Sequence, residues 1–281
     1  MLKIALPNKG QLAEPARRML TEAGYRKSRN ARDLVVRDVE NEVEFYLLRP
    51  KDIATYVASG TLDAGITGRD MLLDSGEQAD ELLQLGFAPS RFFLAAPMGK
   101  YHSLADFAGA RVATSYANLL ASHFAQADVA AEVVHLDGAV ENAVALGVAD
   151  AIADVVDTGT TLRLAGLETI GDPILSSEAV LIRREGAPTD REVVRFVRRL
   201  QGVLTARAYV LMDYDIPSDL VAAACAITPG IESPTVSSLH DTGWAAVRSA
   251  VLQSEVHKVM DQLADMGGRG ILVTPISACR L

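Results

Sequence analysis

The alternation of apolar and polar positions along the first third of the chain predicts a β/α lobe. Lys3 to Leu6 is a short apolar run, and the helical pattern that follows ends at Gly24. Two β-rich runs, Leu34 to Val39 and Val43 to Leu48, flank a polar Glu-Asn-Glu turn and predict a β-hairpin. After a further short helix, Asp63 to Asp70 is predicted to be a strand that ends in glycine.

Near Pro89 the pattern starts again and predicts a second β/α lobe. Its predicted strands are Phe92 to Ala96, Arg111 to Thr114, Glu132 to Leu136 and Asp150 to Val155, with helices starting at Ser103, about Asn118 and Gly138. Two more strands, Ile170 to Leu175 and Ala179 to Arg183, are predicted to return toward the first lobe. A long helix capped at Thr189 and Asp190 follows them.

The remaining segment predicts a small βαββαβ module, the order of a ferredoxin-like unit. Its predicted strands are Tyr209 to Tyr214, Thr235 to Leu239, Trp244 to Val251 and Ile271 to Ile276, with helices capped by Ser218 and Ser254. Such a module is suited to binding or assembly, and its sequence shows no evident catalytic group.

Composition is that of a globular protein with more than one domain. The 281 residues exceed the ~100–200 residues usual for one domain, with 49% apolar and 22% charged residues. The formal net charge of −9 argues against nucleic acid as the main partner, because a phosphate backbone requires a basic surface.

The chain is expected to be cytoplasmic and to lack a membrane partner. Asn8 to Gly10 interrupts the N-terminal apolar run before it reaches the ~7–15 residues of a signal-peptide core, and no stretch reaches the ~18 apolar residues of a membrane span. Cys225 and Cys279 lie in apolar segments and are interpreted as small core residues. The five histidines lack the spacing of a zinc site.

The segment from Ala149 to Leu162 has the pattern of a strand, a loop and a helix start. Its loop holds a glycine and three threonines next to two carboxylates. A helix start offers unpaired N–H groups, and Gly159 allows a ligand to approach the backbone, so the loop fits a phosphate group. Asp154 is placed for a ribose hydroxyl or a magnesium ion, with Asp157 nearby. The alternative is an ordinary turn capped by a threonine.

Charged side chains recur at the other predicted strand-to-helix junctions. They are Lys9, Arg49, Lys51, Arg69 and Asp70. In a doubly wound sheet such junctions converge on one edge, although a single lysine such as Lys9 is more often a solvated surface residue. Tyr116 follows another strand, and its ring is suited either to stacking on a base or to packing in the core.

Taken together, several motifs resemble those of the ATP phosphoribosyltransferases, which catalyse the first step of histidine biosynthesis. The motifs in the two lobes are Leu6 to Gly10, Arg49 to Ile53, Gly65 to Asp70, Asp137 to Glu141 and Ala149 to Leu162. The motifs Ala226 to Gly230, Ser233 to Thr235 and Ile271 to Ile276 resemble the long form of the family, which carries a regulatory domain. The resemblance covers essentially the whole chain.

The resemblance implies transfer of the phosphoribosyl group of phosphoribosyl pyrophosphate to N1 of ATP, with Mg²⁺ as the cofactor. It implies catalytic roles for Asp154, Glu141 and Lys9 and leaves the ligands of the magnesium ion open. The implied substrate-binding residues are Arg49, Lys51, Asp70, Tyr116, Asp154, Asp157, Thr158, Gly159, Thr160 and Thr161. Residues 157–161 are expected to hold the 5′-phosphate, Asp154 the ribose and Tyr116 the base.

The expected fold class is α/β, with two lobes similar to those of periplasmic binding proteins that form a cleft and a C-terminal ferredoxin-like domain. Catalytic lobe I is expected to comprise residues 1–90 and about 180–208, lobe II residues 91–179 with the phosphate loop, and the regulatory domain residues 209–281. The resemblance implies inhibition by histidine in that domain, with a homo-oligomer that shifts from an active dimer to an inhibited hexamer. The implied allosteric residues are Asp215, Ser233, Thr235 and Gly270.

The chain departs from the family pattern in two places. Ala117 stands where proline is usual, and Leu120 to Ser122 stand where an arginine is common, so contacts to the base or the triphosphate are expected to differ. Two other functions remain open: a two-lobed solute-binding protein, which would need an export signal, and a module that only senses nucleotide. A solute-binding protein would also leave the threonine-rich loop unexplained.

Overall fold

The structure is a computed structural model that describes residues 1–26, 33–156, 159–188, 190–241 and 243–280. It divides into two compact units, one of Met1–Thr21 and Tyr25–Val194 and the other of Glu22–Gly24 and Arg195–Leu281. The domain boundaries expected from the sequence, which separate the two lobes and the C-terminal module, stay predictions.

Strands and helices alternate through the first unit, and the second unit is a smaller mixed module. The strands are β1 (Leu2–Pro7), β2 (Val35–Asp38), β3 (Val43–Leu48), β4 (Ala64–Gly68), β5 (Ala79–Gln84), β6 (Ser90–Pro97), β7 (Arg111–Thr114), β8 (Glu132–His135), β9 (Ala151–Val156), β10 (Leu167–Ser177), β11 (Ala179–Arg184), β12 (Tyr209–Pro217), β13 (Thr235–Ser238), β14 (Trp244–Leu252) and β15 (Arg269–Pro275). The helices are α1 (Ala13–Glu22), α2 (Ile53–Ala58), α3 (Arg69–Ser75), α4 (Ala117–Gln126), α5 (Thr160–Leu164), α6 (Arg191–Ala208), α7 (Val221–Ile227) and α8 (Val256–Asp265). Short 3₁₀ turns form at Pro50–Asp52, Leu104–Phe107, Val140–Asn142, Ser218–Leu220 and Gln253–Glu255.

The first sheet has six strands in the order β2-β3-β1-β4-β11-β5. β1 runs parallel to β3 and β4, whereas β2 pairs with β3 as the predicted antiparallel hairpin. Helix α2 packs closely over β4, because a Cβ atom at Gly65 would lie 2.6 Å from Cγ2 of Ile53 and 3.0 Å from Cγ2 of Val57. The glycine therefore sets how near α2 comes to the sheet.

The second sheet has five strands in the order β10-β6-β9-β7-β8 and is covered on both faces. Along β6, Phe92 and Leu94 belong to the core on one face, whereas Phe93 and Ala95 belong to the core on the other. Burial on both faces explains why β6 reads as a continuous apolar run and not as an alternating one.

The chain passes between these two sheets twice. The first passage joins β5 to β6, and the second is the single residue Glu178 between β10 and β11. The first passage is hydrogen-bonded to Ala179, which directly follows the second: Leu85 N–H donates to the Ala179 carbonyl at 2.9 Å, and Ala179 N–H donates to the Phe87 carbonyl at 3.0 Å. They tie the lobes together with few residues.

Two expectations for this unit need correction, and one strand was missed. The strand predicted at Ile170 to Leu175 does not return toward the first lobe, because β10 pairs with β6 of the second sheet. The helix predicted from Gly138 is only the 3₁₀ turn Val140–Asn142, which the chain enters through Ala139 in a left-handed conformation (φ 52°). Strand β5 was not predicted.

The second unit confirms the predicted ferredoxin-like order. Its sheet, β13-β14-β12-β15, is antiparallel throughout. Alternate residues of β12 are buried and form a core with α7 and α8, in which the Tyr214 hydroxyl lies 2.7 Å from Oγ1 of Thr228. Helix α6 begins at Arg191, and the cap predicted at Thr189 lies outside the described residues. Among the described residues no helix is both long and apolar enough to cross a membrane.

Candidate active site

Lys9, Arg49 and Asp70 lie beyond the ends of three neighbouring strands of the first sheet. Lys9 is in the exposed loop after β1, Arg49 is exposed after β3, and Asp70 lies buried in the first turn of α3, after β4. Because β1, β3 and β4 are parallel, these residues follow the same edge of the sheet, as the junction pattern predicts. Arg69 instead makes a bidentate ion pair with Glu81, in which Nε donates to Oε1 at 3.0 Å and Nη2 donates to Oε2 at 3.0 Å.

Lys51 reaches from the first lobe to the second. Its ammonium group donates a hydrogen bond to the Ser115 carbonyl at 2.6 Å and lies 5.0 Å from the centre of the Tyr116 ring. A cation over an aromatic face is attractive, so Lys51 and Tyr116 support each other's positions.

Tyr116 belongs to the hydrophobic core of the second lobe and also borders the candidate site. Its ring packs edge-on against Phe92, with centroids 5.3 Å apart, and only 7% of the residue is exposed. Its hydroxyl lies near the Asp70 carboxylate. Burial raises the pKa of this hydroxyl well above its ordinary value, and the carboxylates of Asp70, Asp154 and Asp74 raise it further. The hydroxyl therefore stays protonated, and stacking of the ring on a base stays a prediction.

Asp70 is held by Ser177, a residue that the sequence pattern did not single out. Ser177 Oγ donates a hydrogen bond to Oδ1 of Asp70 at 2.9 Å and accepts one from the Asp70 N–H at 2.9 Å. Both residues are buried. The two residues are 107 positions apart, so no local motif could have indicated the contact.

The carboxylates of Asp154 and Glu141 lie near enough for the charge of Glu141 to act on Asp154. Burial is the main cause that raises the pKa of Asp154 above its ordinary value, and Glu141 raises it too. A hydrogen bond from the Val155 N–H at 2.7 Å and the charge of Lys51 act in the opposite direction. Asp154, Glu141 and Lys51 therefore face the same region, whereas Lys9 has no contact among the described residues that ties it to them.

The proposed phosphate loop is described only in its second half. Asp157 and Thr158 lie outside the described residues. Gly159 adopts a left-handed conformation (φ 70°) and precedes α5, whose first two residues are the exposed Thr160 and Thr161. The described part has the predicted strand, loop and helix order, and buried Leu162 anchors the short helix.

A second contact between the lobes was also missed. Oδ1 of Asp74 accepts hydrogen bonds from the N–H groups of Asn118 at 3.0 Å and Leu119 at 3.1 Å, and Nδ2 of Asn118 donates to the Asp74 carbonyl at 2.8 Å. Tyr116, at the N-cap of α4, provides no side-chain cap of its own. The sequence predicts a helix start at about Asn118, a residue type that often caps helices, and gives no signal that the actual partner comes from α3.

The four predicted allosteric residues lie in the second unit. Asp215 of β12 is close to Gly270, since a Cβ atom at Gly270 would lie 3.7 Å from Oδ2 of Asp215. Thr235 shares the helix-free face of the sheet but lies two strands from β12, about 10 Å at normal strand spacing. Ser233 is exposed before β13. Asp215 and Gly270 thus form a pair, and a common site for all four stays a prediction.

The described residues contain no cluster of three or more His, Cys, Asp or Glu side chains arranged to hold a metal ion. Asp154 and Glu141 are oxygen donors of the kind that Mg²⁺ accepts, and Mg²⁺ commonly takes only one or two carboxylates together with substrate phosphates. The donor set therefore fits an ion brought in with a phosphorylated substrate.

Comparison with known proteins adds independent observations. A family model described as ATP phosphoribosyltransferase matches residues 49–202, and one described as the C-terminal domain of HisG matches residues 206–278. Curated proteins named ATP phosphoribosyltransferase from Paenarthrobacter aurescens and Streptomyces avermitilis are 58% and 56% identical, with 100% of both chains covered. The solved ATP phosphoribosyl transferase (HisG:HisZ) complex from Thermotoga maritima is similar at a TM-score of 0.64 and 29% identity, over 73% of this chain and 98% of that one.

Proposed function

This chain belongs to the ATP phosphoribosyltransferase family, and from that premise we propose that it joins phosphoribosyl pyrophosphate to N1 of ATP, giving phosphoribosyl-ATP and pyrophosphate. As a member it is a pentosyltransferase of histidine biosynthesis (EC 2.4.2.17) with the domain composition of the long form. The observation that carries the proposed reaction is the arrangement of Asp70, Tyr116 and Lys51 beside the carboxylates of Asp154 and Glu141.

The reaction requires a site that stabilises opposite charges at two ends of one bond. The lone pair of adenine N1 forms the new bond to C1 of the ribose, while the bond from C1 to the pyrophosphate oxygen breaks and its electron pair leaves with pyrophosphate. Positive charge develops on the ribose and negative charge on the leaving group. Because N1 carries its own lone pair, the attack needs no general base.

The residues of the site fit these charges. Asp154 is proposed to hold the ribose, and its carboxylate stabilises the positive charge that develops there. Residues 157–161 are proposed to bind the 5′-phosphate, through N–H groups and hydroxyls at the start of α5. Lys9, Arg49 and Lys51 supply positive charge for the phosphates of both substrates.

Asp70 and Tyr116 are proposed to position the adenine, with the aromatic ring beside the base and the hydroxyl fixed by the carboxylate. Placing N1 against C1 lowers the entropic part of the barrier. When bound, Mg²⁺ supplies charge neutralisation at the departing pyrophosphate, and Asp154 and Glu141 are the residues proposed to support it.

Histidine is proposed to inhibit the enzyme by binding in the second unit, with Asp215 as the partner of its amino or imidazolium group. Such inhibition requires an equilibrium between two states that histidine biases, commonly by ~1–3 kcal/mol. A shift from an active dimer to an inhibited hexamer is the equilibrium we propose. The cytoplasm is the proposed compartment.

The test is an assay with ATP, phosphoribosyl pyrophosphate and Mg²⁺, in which product formation is followed by absorbance. Phosphoribosyl-ATP is expected only when all three are present. Binding of ATP without turnover, with both substrates in excess, would favour a nucleotide sensor, and binding of an unrelated small solute alone would favour a solute-binding protein.

The same assay with histidine tests the allosteric proposal. Histidine is expected to inhibit the parent protein, and Asp215→Ala is expected to relieve the inhibition while leaving uninhibited turnover unchanged. Asp213→Ala is the matched control, because Asp213 lies on the same strand and instead forms an ion pair with Arg248 at 2.6 Å. Full inhibition of Asp215→Ala would refute the placement of the effector.

A further inference from the structure

We propose that Ser177 is a positioning residue for the adenine, because its hydroxyl fixes the Asp70 carboxylate that in turn orients Tyr116. The inference rests on the proposed function, since it takes the adenine of ATP to be the ligand of Tyr116. Ser177 itself is proposed to act only through Asp70.

The Ser177 hydroxyl makes two hydrogen bonds with Asp70, one as donor and one as acceptor. It donates to Oδ1 of Asp70 and accepts from the Asp70 N–H, both at 2.9 Å. Ser177 is 6% exposed and Asp70 is 5% exposed, so water has little access to replace either bond. A buried carboxylate that accepts a hydrogen bond from a buried hydroxyl has one preferred orientation.

The fixed carboxylate faces Tyr116. The Tyr116 hydroxyl comes from the second lobe and interacts with the Asp70 carboxylate, while Phe92 and Lys51 contact its ring. Ser177 therefore holds the carboxylate that lies beside the aromatic ring proposed to meet the base.

Ser177 lies where the backbone passes from one lobe to the other, so its contact with Asp70 depends on how the lobes are arranged. Ser177 is the last residue of β10, and only Glu178 separates it from β11 in the other sheet. The Glu178 carbonyl accepts a hydrogen bond from the Arg69 N–H at 3.0 Å, so Glu178 and Ser177, which precedes it, bind consecutive N–H groups at the start of α3. The passage between the lobes thus holds the helix start that carries Asp70.

Removing the Ser177 hydroxyl should affect one substrate selectively. In Ser177→Ala the Asp70 carboxylate loses a donor and its N–H loses an acceptor, so the Tyr116 hydroxyl no longer has a fixed partner. We expect the KM for ATP to rise about tenfold, equivalent to about 1.4 kcal/mol, whereas the KM for phosphoribosyl pyrophosphate and kcat change less than about twofold. The Kd for ATP, measured by calorimetry, should rise with the KM.

Two comparisons separate positioning from packing. Ser177→Thr keeps the hydroxyl and should restore most of the affinity for ATP, whereas Ser177→Val has nearly the same volume without it and should not. Ser249→Ala is the matched control, because Ser249 is a buried serine of the second unit whose Oγ donates to the Thr228 carbonyl at 2.8 Å. Assayed without histidine, this control should leave both KM values unchanged.

A double-mutant cycle with Tyr116→Phe tests whether Ser177 influences ATP binding through Tyr116. If Ser177 acts through Asp70 on Tyr116, the double variant Ser177→Ala, Tyr116→Phe should bind ATP about as weakly as the weaker single variant. Additive losses, equal rises in both KM values, or equal behaviour of the Thr and Val variants would overturn the inference. A parent protein that makes no phosphoribosyl-ATP would refute the proposed function instead, and the Kd values for ATP would still decide the role of Ser177.

Discussion

Removal of the Asp74 carboxylate tests whether the first lobe caps helix α4 of the second. With Tyr116 as the N-cap, Asn118 and Leu119 occupy the positions whose N–H groups a capping side chain normally binds. Asp74 accepts hydrogen bonds from both of these groups. In Asp74→Ala these groups lose their acceptor, and α4 loses a negative charge near its positive end.

The magnitude follows from these two losses. Loss of an N-cap costs ~0.5–2 kcal/mol, and loss of a favourable charge near a helix N-terminus costs ~0.3–1 kcal/mol. Asp74 is partly exposed, and the bond from Asn118 Nδ2 to the Asp74 carbonyl remains in the variant, so the sum lies toward the lower end. We expect a loss of about 1–2 kcal/mol in the free energy of unfolding, or about 2–8 °C in Tm for a unit of this size.

Differential scanning calorimetry without ligands measures this loss. Asp74→Asn is the control, because its amide oxygen can still accept both hydrogen bonds and only the charge is removed, at a cost of ~0.3–1 kcal/mol. Because α4 starts next to Tyr116, the KM for ATP should also rise severalfold in Asp74→Ala. A Tm within about 1 °C of the parent value, with an unchanged KM, would refute the role given to Asp74.

Two further predictions concern packing and charge. Gly65→Ala should lower the free energy of unfolding, measured with urea, by about 1–3 kcal/mol, because the added methyl group would lie 2.6 Å from a side chain of α2. Gly138→Ala is the control and should leave it nearly unchanged, because a methyl group there would meet no atom within 4 Å and the backbone is not left-handed. Asp154→Asn should reduce turnover by about two orders of magnitude yet raise the free energy of unfolding at pH 7. Burial raises the pKa of Asp154 in the folded protein, so the folded state binds more protons than the unfolded state. The stability of the parent protein therefore falls as pH rises from the ordinary carboxyl pKa to the raised one. Asp154→Asn should lose that part of the pH dependence, and an unchanged profile of stability against pH would contradict the assignment.

Local sequence patterns predicted most strands because their burial follows directly from residue type. The hairpin of β2 and β3 and the alternating strand β12 are examples. Strand β5 was not predicted, because Asp80 and Glu81 interrupt its apolar pattern. Their partners, Arg183 at 3.4 Å and Arg69 at 3.0 Å, come from distant segments, so the charges are compensated only in the folded sheet.

The choice of sheet is a long-range property that local patterns do not contain. β10 and β11 were both recognised as strands, and a single residue separates them, yet they pair in different sheets. Which sheet a strand joins depends on the partner edge that is available when the chain folds. The pattern of one segment cannot specify that edge.

The residues of the candidate site also divide into those that local patterns predict and those that depend on long-range contacts. Lys9, Arg49 and Asp70 could be predicted because parallel strands bring their following loops to one edge. Ser177 and Asp74 could not, because each acts through contacts with residues far away in sequence. Asp157 and Thr158, which lie outside the described residues, stay predictions.

The position of β11 between β4 and β5 has a consequence for biosynthesis. These two strands leave the ribosome well before the strand that joins them, because all of β6 to β10 is translated in between. At ~5–20 residues per second the nascent chain carries β5 without β11, its sheet partner among the described strands, for about 5–20 s. The second lobe is continuous in sequence and can fold during this interval, whereas the sheet of the first lobe can be completed only after the second lobe has been translated.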